Sequence, residues 1–286
     1  ELRIDETGSS ADINEAVADA ETGGGVYAID RERLAALDPD VVLTQGVCDV
    51  CAVDRVLVRE AIDELALDAE VVTLDVHSLD DLYRAIDRVG VACGRQESAA
   101  ALTERLEARV EAVAESVTSG MPASRETAAT GGSVVTPSSD TANDSERPRV
   151  AVLDWLDPVM VAGHWVPELV ELAGGAYHME AAGAHSRPRE WSELREYDPE
   201  VLVVSPCGFE LPQVRQNLDE VTDRPGWDQL TAVQRDKVYL VDGHHYVNRA
   251  GPRLVDTLEY LAAMISPAEY ESPPTGAVER LDASTG

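Results

Sequence analysis

Lysine is almost missing from this chain: Lys237 is the single lysine in 286 residues, and every other basic residue is arginine. Basic charge is scarce overall, with 23 Lys and Arg against 54 Asp and Glu and a formal net charge of −31 at pH 7. That balance excludes nucleic acid as a partner, because phosphate binding needs clustered Lys and Arg. It disfavours anionic membrane surfaces for the same reason. Long apolar runs are missing too. No segment approaches the roughly 20 apolar residues of a membrane span. No secretory signal stands at the N-terminus, but the chain opens "ELRIDETGSS" without Met, so its start is expected to be trimmed. Nucleotide and hydrolase signatures are absent: there is no GxxxxGK[ST] loop and no G-x-S-x-G elbow. The three glycines of "ETGGGVYAID" lack a strand–GxGxxG–helix context and read as a turn.

What remains is a chain with 44% hydrophobic residues, enough to bury a sizeable core in about two domains. The acids are spread along the chain between many apolar segments, unlike those of a disordered acidic protein. This pattern reads as a globular protein adapted to high salt, where a Debye length of roughly 3 Å at 1 M screens self-repulsion.

A low-complexity stretch, residues 118–148, is rich in Ser, Thr, Ala, Gly and Pro and is expected to be a disordered insertion. Before it, residues 95–117 carry Ala99, Leu102, Leu106, Val110 and Val113 at spacings of three and four. That spacing predicts an amphipathic helix of about 30 Å. On either side of it one pattern occurs twice. "LDPDVVLTQGVCDVC" from Leu37 and "YDPEVLVVSPCGF" from Tyr197 each join an Asp-Pro-acid opening to a short apolar strand and a Cys-containing loop. Each is followed by a second strand and a helix, which implies parallel sheets flanked by helices. The expected fold class is α/β: two doubly wound parallel-sheet lobes bridged by one long helix, with a ligand cleft between them. The boundaries are an N-terminal lobe over 1–94, the bridging helix, the insertion, a C-terminal lobe over 149–267 and a flexible tail over 268–286.

Ligands of open α/β sheets bind outside the carboxyl ends of the strands, and the unusual residues of this chain fall at such ends. "DWLDPVMVAGHW" follows a buried strand at Val150–Leu153 and carries Trp155, His164 and Trp165 ahead of a helix from Pro167 that stops at Gly174-Gly175. Aromatic rings with polar tips line small-molecule pockets; core packing and helix capping are the alternative. Arg187 and Arg189 bracket a proline before Trp191. Such a fork can clamp a carboxylate or phosphate, or pair with Glu190 and Glu193. Cys207 and Phe209, the one phenylalanine, end one strand. His244, His245, Tyr246 and Arg249 end another. In "CDVCAVD" the pair Cys48 and Cys51 could be a zinc half-site, a redox pair, a disulfide or part of a cleft-lining loop. Cys93 reads as a buried small hydrophobe in a helix.

"LDPDVVLTQGVCDVCAV", "DWLDPVMVAGHWVPELVELAGG", "RPREWSEL", "YDPEVLVVSPCGFEL" and "VYLVDGHHYVNRAGPRLVDTLEYLA" resemble the cobalamin and iron-siderophore substrate-binding proteins of ABC importers, most closely the cobalamin-binding branch. The resemblance covers nearly the whole chain except the insertion and the tail. It implies a monomeric, non-enzymatic binding protein with no intrinsic cofactor. Such a protein works at the extracellular face, lipid-anchored, and delivers cobalamin, cobinamide or another corrinoid to a permease and its ATPase. It also implies that a first strand and helix are missing here, leaving the N-terminal lobe incomplete. Relatives of this fold carry siderophores, haem or bare metal ions. An intracellular corrinoid or tetrapyrrole enzyme or chaperone shares the two-lobed plan.

Overall fold

A computed structural model describes residues 4, 5, 7–22, 26–47, 53, 55–119 and 146–281. Gly23–Gly25, Cys48, Cys51 and positions 120–145 of the expected insertion lie outside the described residues. The chain divides into two compact units, residues 1–103 and 104–286. The fold is mixed α/β in two lobes.

The first unit holds α1 (Ser10–Thr22), α2 (Arg31–Leu37), β1 (Val41–Gln45), α3 (Arg55–Glu64), β2 (Glu70–Leu74), α4 (Leu79–Ala92) and the start of α5 (Gln96–Ser119). Strands β1 and β2 pair in parallel with Val41 opposite Glu70 and Gln45 opposite Leu74. Ser78 caps α4 by accepting from the Asp81 N–H, and the Asp81 carboxylate accepts in return from the Ser78 hydroxyl and the His77 N–H. This reciprocal cap satisfies donors that a helix start leaves unpaired. Cys93 is the exposed C-cap of α4, followed by Gly94 at φ +63°. The expectation of a buried cysteine is corrected: the helix ends at that residue instead of running past it.

The second unit receives the rest of α5 and builds a six-stranded sheet in the order β5-β4-β3-β6-β7-β8. Its strands are β3 (Val150–Trp155), β4 (Met160–Val161), β5 (Arg187–Pro188), β6 (Val201–Val204), β7 (Val238–Val241) and β8 (Val278–Arg280). Helices α6 (Val166–Leu172), α7 (Trp191–Tyr197), α8 (Leu211–Gln216), α9 (Asp219–Thr222), α10 (Thr231–Gln234) and α11 (Leu254–Ile265) run between them. β3, β6 and β7 are parallel, whereas β4, β5 and β8 pair antiparallel. The sheet is therefore mixed at its edges, not all-parallel as the alternation of elements suggested. The centre is dry: "VLVV" of β6 and "VYLV" of β7 are buried throughout, as expected for strands covered on both faces.

Two expectations change at the edges. The Trp155 loop contains β4, which turns back onto β3 with Trp155 opposite Met160. The stretch 268–286 is not simply a tail: β8 zips onto β7 with Val278 opposite Val241, Ala277 is 2% exposed, and the Tyr270 and Ser116 hydroxyls share a hydrogen bond. Arg109 of α5 ties to α11 through Asp256 at 2.5 Å and Glu259 at 2.8 Å.

Candidate functional site

Because β3, β6 and β7 are parallel neighbours, their carboxyl ends share one edge of the sheet. The loops that leave this edge are bonded to one another. The Ser205 N–H donates to the Leu153 carbonyl at 2.8 Å, and the Cys207 N–H to the Asp154 carbonyl at 2.9 Å. The Phe209 carbonyl accepts from the N–H groups of Gly243 and His244 at 3.0 and 3.1 Å. The Trp165 indole donates to the Val247 carbonyl at 2.8 Å. Trp155 meets Phe209 edge to face at 5.3 Å. The structure thus gathers Trp155, Trp165, Cys207, Phe209, His244, His245 and Tyr246 in one place.

They are not equally available. Trp165 and Phe209 are 5% and 2% exposed, so they pack beneath the loops as buried wedges instead of facing a ligand. Trp155, His164, Cys207, His244, His245 and Tyr246 are half-buried. His164 adopts φ +51° and meets His185 edge to face at 4.9 Å. Its backbone exchanges hydrogen bonds with Ala184 and Gly183. Gly163 permits that approach, since a Cβ there would lie 2.2 Å from the Ala184 oxygen.

After β7 the chain makes a single π-helical turn, Gly243–Val247. Such turns often occur at functional positions. Asp242 accepts from the His245 N–H at 2.8 Å, and its second oxygen lies 2.9 Å from His245 Nδ1. This carboxylate fixes the imidazole and leaves Nε2 as the ring atom for a ligand. An open depression of about 350 Å³ is lined by His244, His245, Arg249, Gly251, Pro252 and Arg253. Arg249 donates to the His244 carbonyl at 2.7 Å. Arg253 lies over the Tyr246 ring at 5.7 Å. Sequence reasoning reached the histidines and Arg249 but missed Arg253; the available signal was "RAGPR" itself, two arginines inside one short turn.

The arginine fork has a protein partner. Arg187 grips Glu180 with two hydrogen bonds of 2.7 and 2.9 Å. Arg189 reaches the Met179 carbonyl, Glu180 at 3.3 Å and Glu193 at 3.4 Å. The grip of Arg187 holds the Glu180 carboxyl below its ordinary value. The carboxylate that this pair holds is the chain's own Glu180, whose side chain is only 4% exposed. Trp191 stacks on Trp227 at 6.4 Å, with Arg224 over it at 5.8 Å. It belongs to a neighbouring aromatic pair that reaches the β3 loop through the Arg224–Asp157 contact of 3.2 Å.

Beneath the loops, burial pushes the Asp154 carboxyl up to about 6, opposed by a hydrogen bond from Ser186. One Asp154 oxygen and the Ser205 hydroxyl are buried without a partner. In the first unit an open groove of about 390 Å³ is lined by Leu43, Thr44, Gln45, Val53, Val58 and Leu74. Cys48 and Cys51 lie outside the described residues. Among the described residues no group of three or more His, Cys, Asp or Glu could hold a metal ion, and no helix is long and apolar enough to cross a membrane.

No curated protein matches the chain. Solved structures share its fold. An ABC transporter substrate-binding protein from Listeria monocytogenes matches with a TM-score of 0.61 and 19% identity, over 83% of this chain and 81% of its own. A periplasmic heme-binding protein from Pseudomonas aeruginosa matches at 0.62 and 19%, over 91% and 83%. An ABC-type Fe3+-hydroxamate transport system from Saccharomonospora viridis matches at 0.58 and 23%, over 83% and 72%. The model of the periplasmic binding protein family matches residues 6–244, from before α1 through β7 to His244: the chain belongs to the periplasmic binding protein family.

Proposed function

We propose that this protein is the substrate-binding component of an ABC importer and captures a corrinoid, cobalamin or cobinamide. It then delivers the corrinoid to a membrane permease coupled to an ATPase. The observation that carries the reading is the family match over residues 6–244, joined to loops that converge on one sheet edge and present aromatic and basic side chains. Binding, not conversion, is the task; the partners are the permease and the small molecule. The protein works outside the cytoplasm, held by a lipid anchor, and its acid surplus suits high salt. Cys48 and Cys51 contribute to ligand binding through the shape of their loop.

A second reading, a ferric siderophore or haem as cargo, is favoured by the Fe3+-hydroxamate transport and heme-binding proteins among the structural neighbours. Isothermal titration with cobalamin, cobinamide, haem and a ferric hydroxamate separates the two. Saturable heat with a corrinoid is the expected result. Heat only with the hydroxamate or haem would transfer the assignment to the second reading.

A further inference from the structure

Resting on the reading above, we propose that the turn from His244 to Arg253 is an anion subsite. Arg249 and Arg253, supported by His244 and His245, take an ionised carboxylate or phosphate on the periphery of the bound chelate.

The depression is lined by two histidines and two arginines, and no acid lines it. That composition runs against the chain, in which acids outnumber Lys and Arg by 54 to 23. Elsewhere in the second unit carboxylates hold many of the arginines, although Arg195, like Arg249 and Arg253, has no ion pair among the described residues. Arg149, Arg187, Arg189, Arg215, Arg224 and Arg235 each lie within ion-pair distance of a carboxylate. Arg249 and Arg253 have no carboxylate partner among the described residues. The nearby acids are already committed. Asp242 is 7% exposed and takes two contacts from His245, while Asp256 and Glu259 of α11 are held by Arg109.

The donors are also arranged before any ligand arrives. Arg249 is steered by the His244 carbonyl, and Arg253 rests on the face of Tyr246. An arginine fixed this way loses less freedom when it forms its planar, paired hydrogen bonds to a carboxylate or phosphate. Two such forks beside each other, without an internal counter-charge, match an anionic group better than a neutral amide. The same chemistry could come from a corrinoid phosphate or from a tetrapyrrole carboxylate.

Matched ligands test this with the full chain. One pair is cobinamide phosphate and cobinamide; the other is haem and haem dimethyl ester. Affinities are measured for the natural protein, for the double variant Arg249→Gln, Arg253→Gln and for the double variant Arg249→Lys, Arg253→Lys, with circular dichroism and melting temperature as checks of folding. In the pair that binds, the anionic member is expected to be tighter by about tenfold or more, as for hydrogen bonds to charged groups. The preference should fall to within about twofold in the Gln variant and survive in part in the Lys variant, which keeps the charge but not the fork. Which pair binds identifies the source of the anion. Equal affinity within a pair, or a preference that persists in the Gln variant, overturns the subsite while leaving chelate capture intact. No binding by either pair overturns the corrinoid and haem readings and the subsite with them.

Discussion

Asp154 ends β3 beneath the ligand-side loops, and its carboxyl is raised to about 6 because burial penalises the charged form. An aspartate raised in the folded state binds more protons there than in the unfolded chain between its ordinary value near 3.9 and about 6. Stability must then fall as pH rises through that window. The Asp154→Asn variant cannot pay this penalty. It is expected to melt above the natural protein at pH 8 and to converge with it at about pH 4, as thermal scans across pH would show. A constant offset at every pH would contradict the account. The opposite lesson comes from Arg187 and Arg189. Two arginines around a proline in an acidic chain read as a ligand fork. They clamp Glu180, which lies seven and nine residues earlier. Sequence proximity pointed to Glu190 and Glu193, and Arg189 does reach Glu193, but β5 pairs with β4 and Arg187 meets Glu180 in the segment between them, and strand pairing of two residues leaves almost no trace in a sequence.

The repeated Asp-Pro-acid opening was the most legible feature at the level of elements, and its geometry recurs. Asp38 ends α2 at φ 41° and Asp198 ends α7 at φ 48°, both left-handed caps; β1 and β6 each start three residues later. Aspartate tolerates this conformation better than most side chains. The amphipathic spacing in residues 95–117 likewise marked α5 to within two residues at each end. Edge strands escaped the sequence reading. β8 is three residues long and includes Glu279 and Arg280, so its strand character comes from β7, not from its own pattern. A chain ending at Ser266 would strip β7 of its antiparallel partner, remove the buried Ala277 and leave Arg215 without Glu279. Such a truncation is expected to cost more than about 2 kcal/mol of unfolding free energy in a denaturant titration. A loss near zero would restore the flexible-tail reading.

At the scale of the molecule, alternating strands and helices disclosed two α/β lobes because a buried parallel strand is apolar along its whole length. The candidate site was legible only where chemistry is rare in the composition: tryptophans, paired histidines and a single phenylalanine. Which of them face outward was not legible, since Trp165 and Phe209 turn inward while Arg253, an ordinary surface residue by sequence, lines the depression. The family accounts for the absence of a recognisable catalytic signature without requiring one. A binding protein needs complementary loops on a stable sheet, and the bonded edge of β3, β6 and β7 supplies them. The most direct measurement is native mass spectrometry of the purified full chain incubated with a corrinoid, followed by release and analysis of the small molecule. The account predicts a one-to-one complex from which the corrinoid is recovered chemically unchanged. A corrinoid that returns altered, or a protein that forms no complex with the corrinoid, would contradict it.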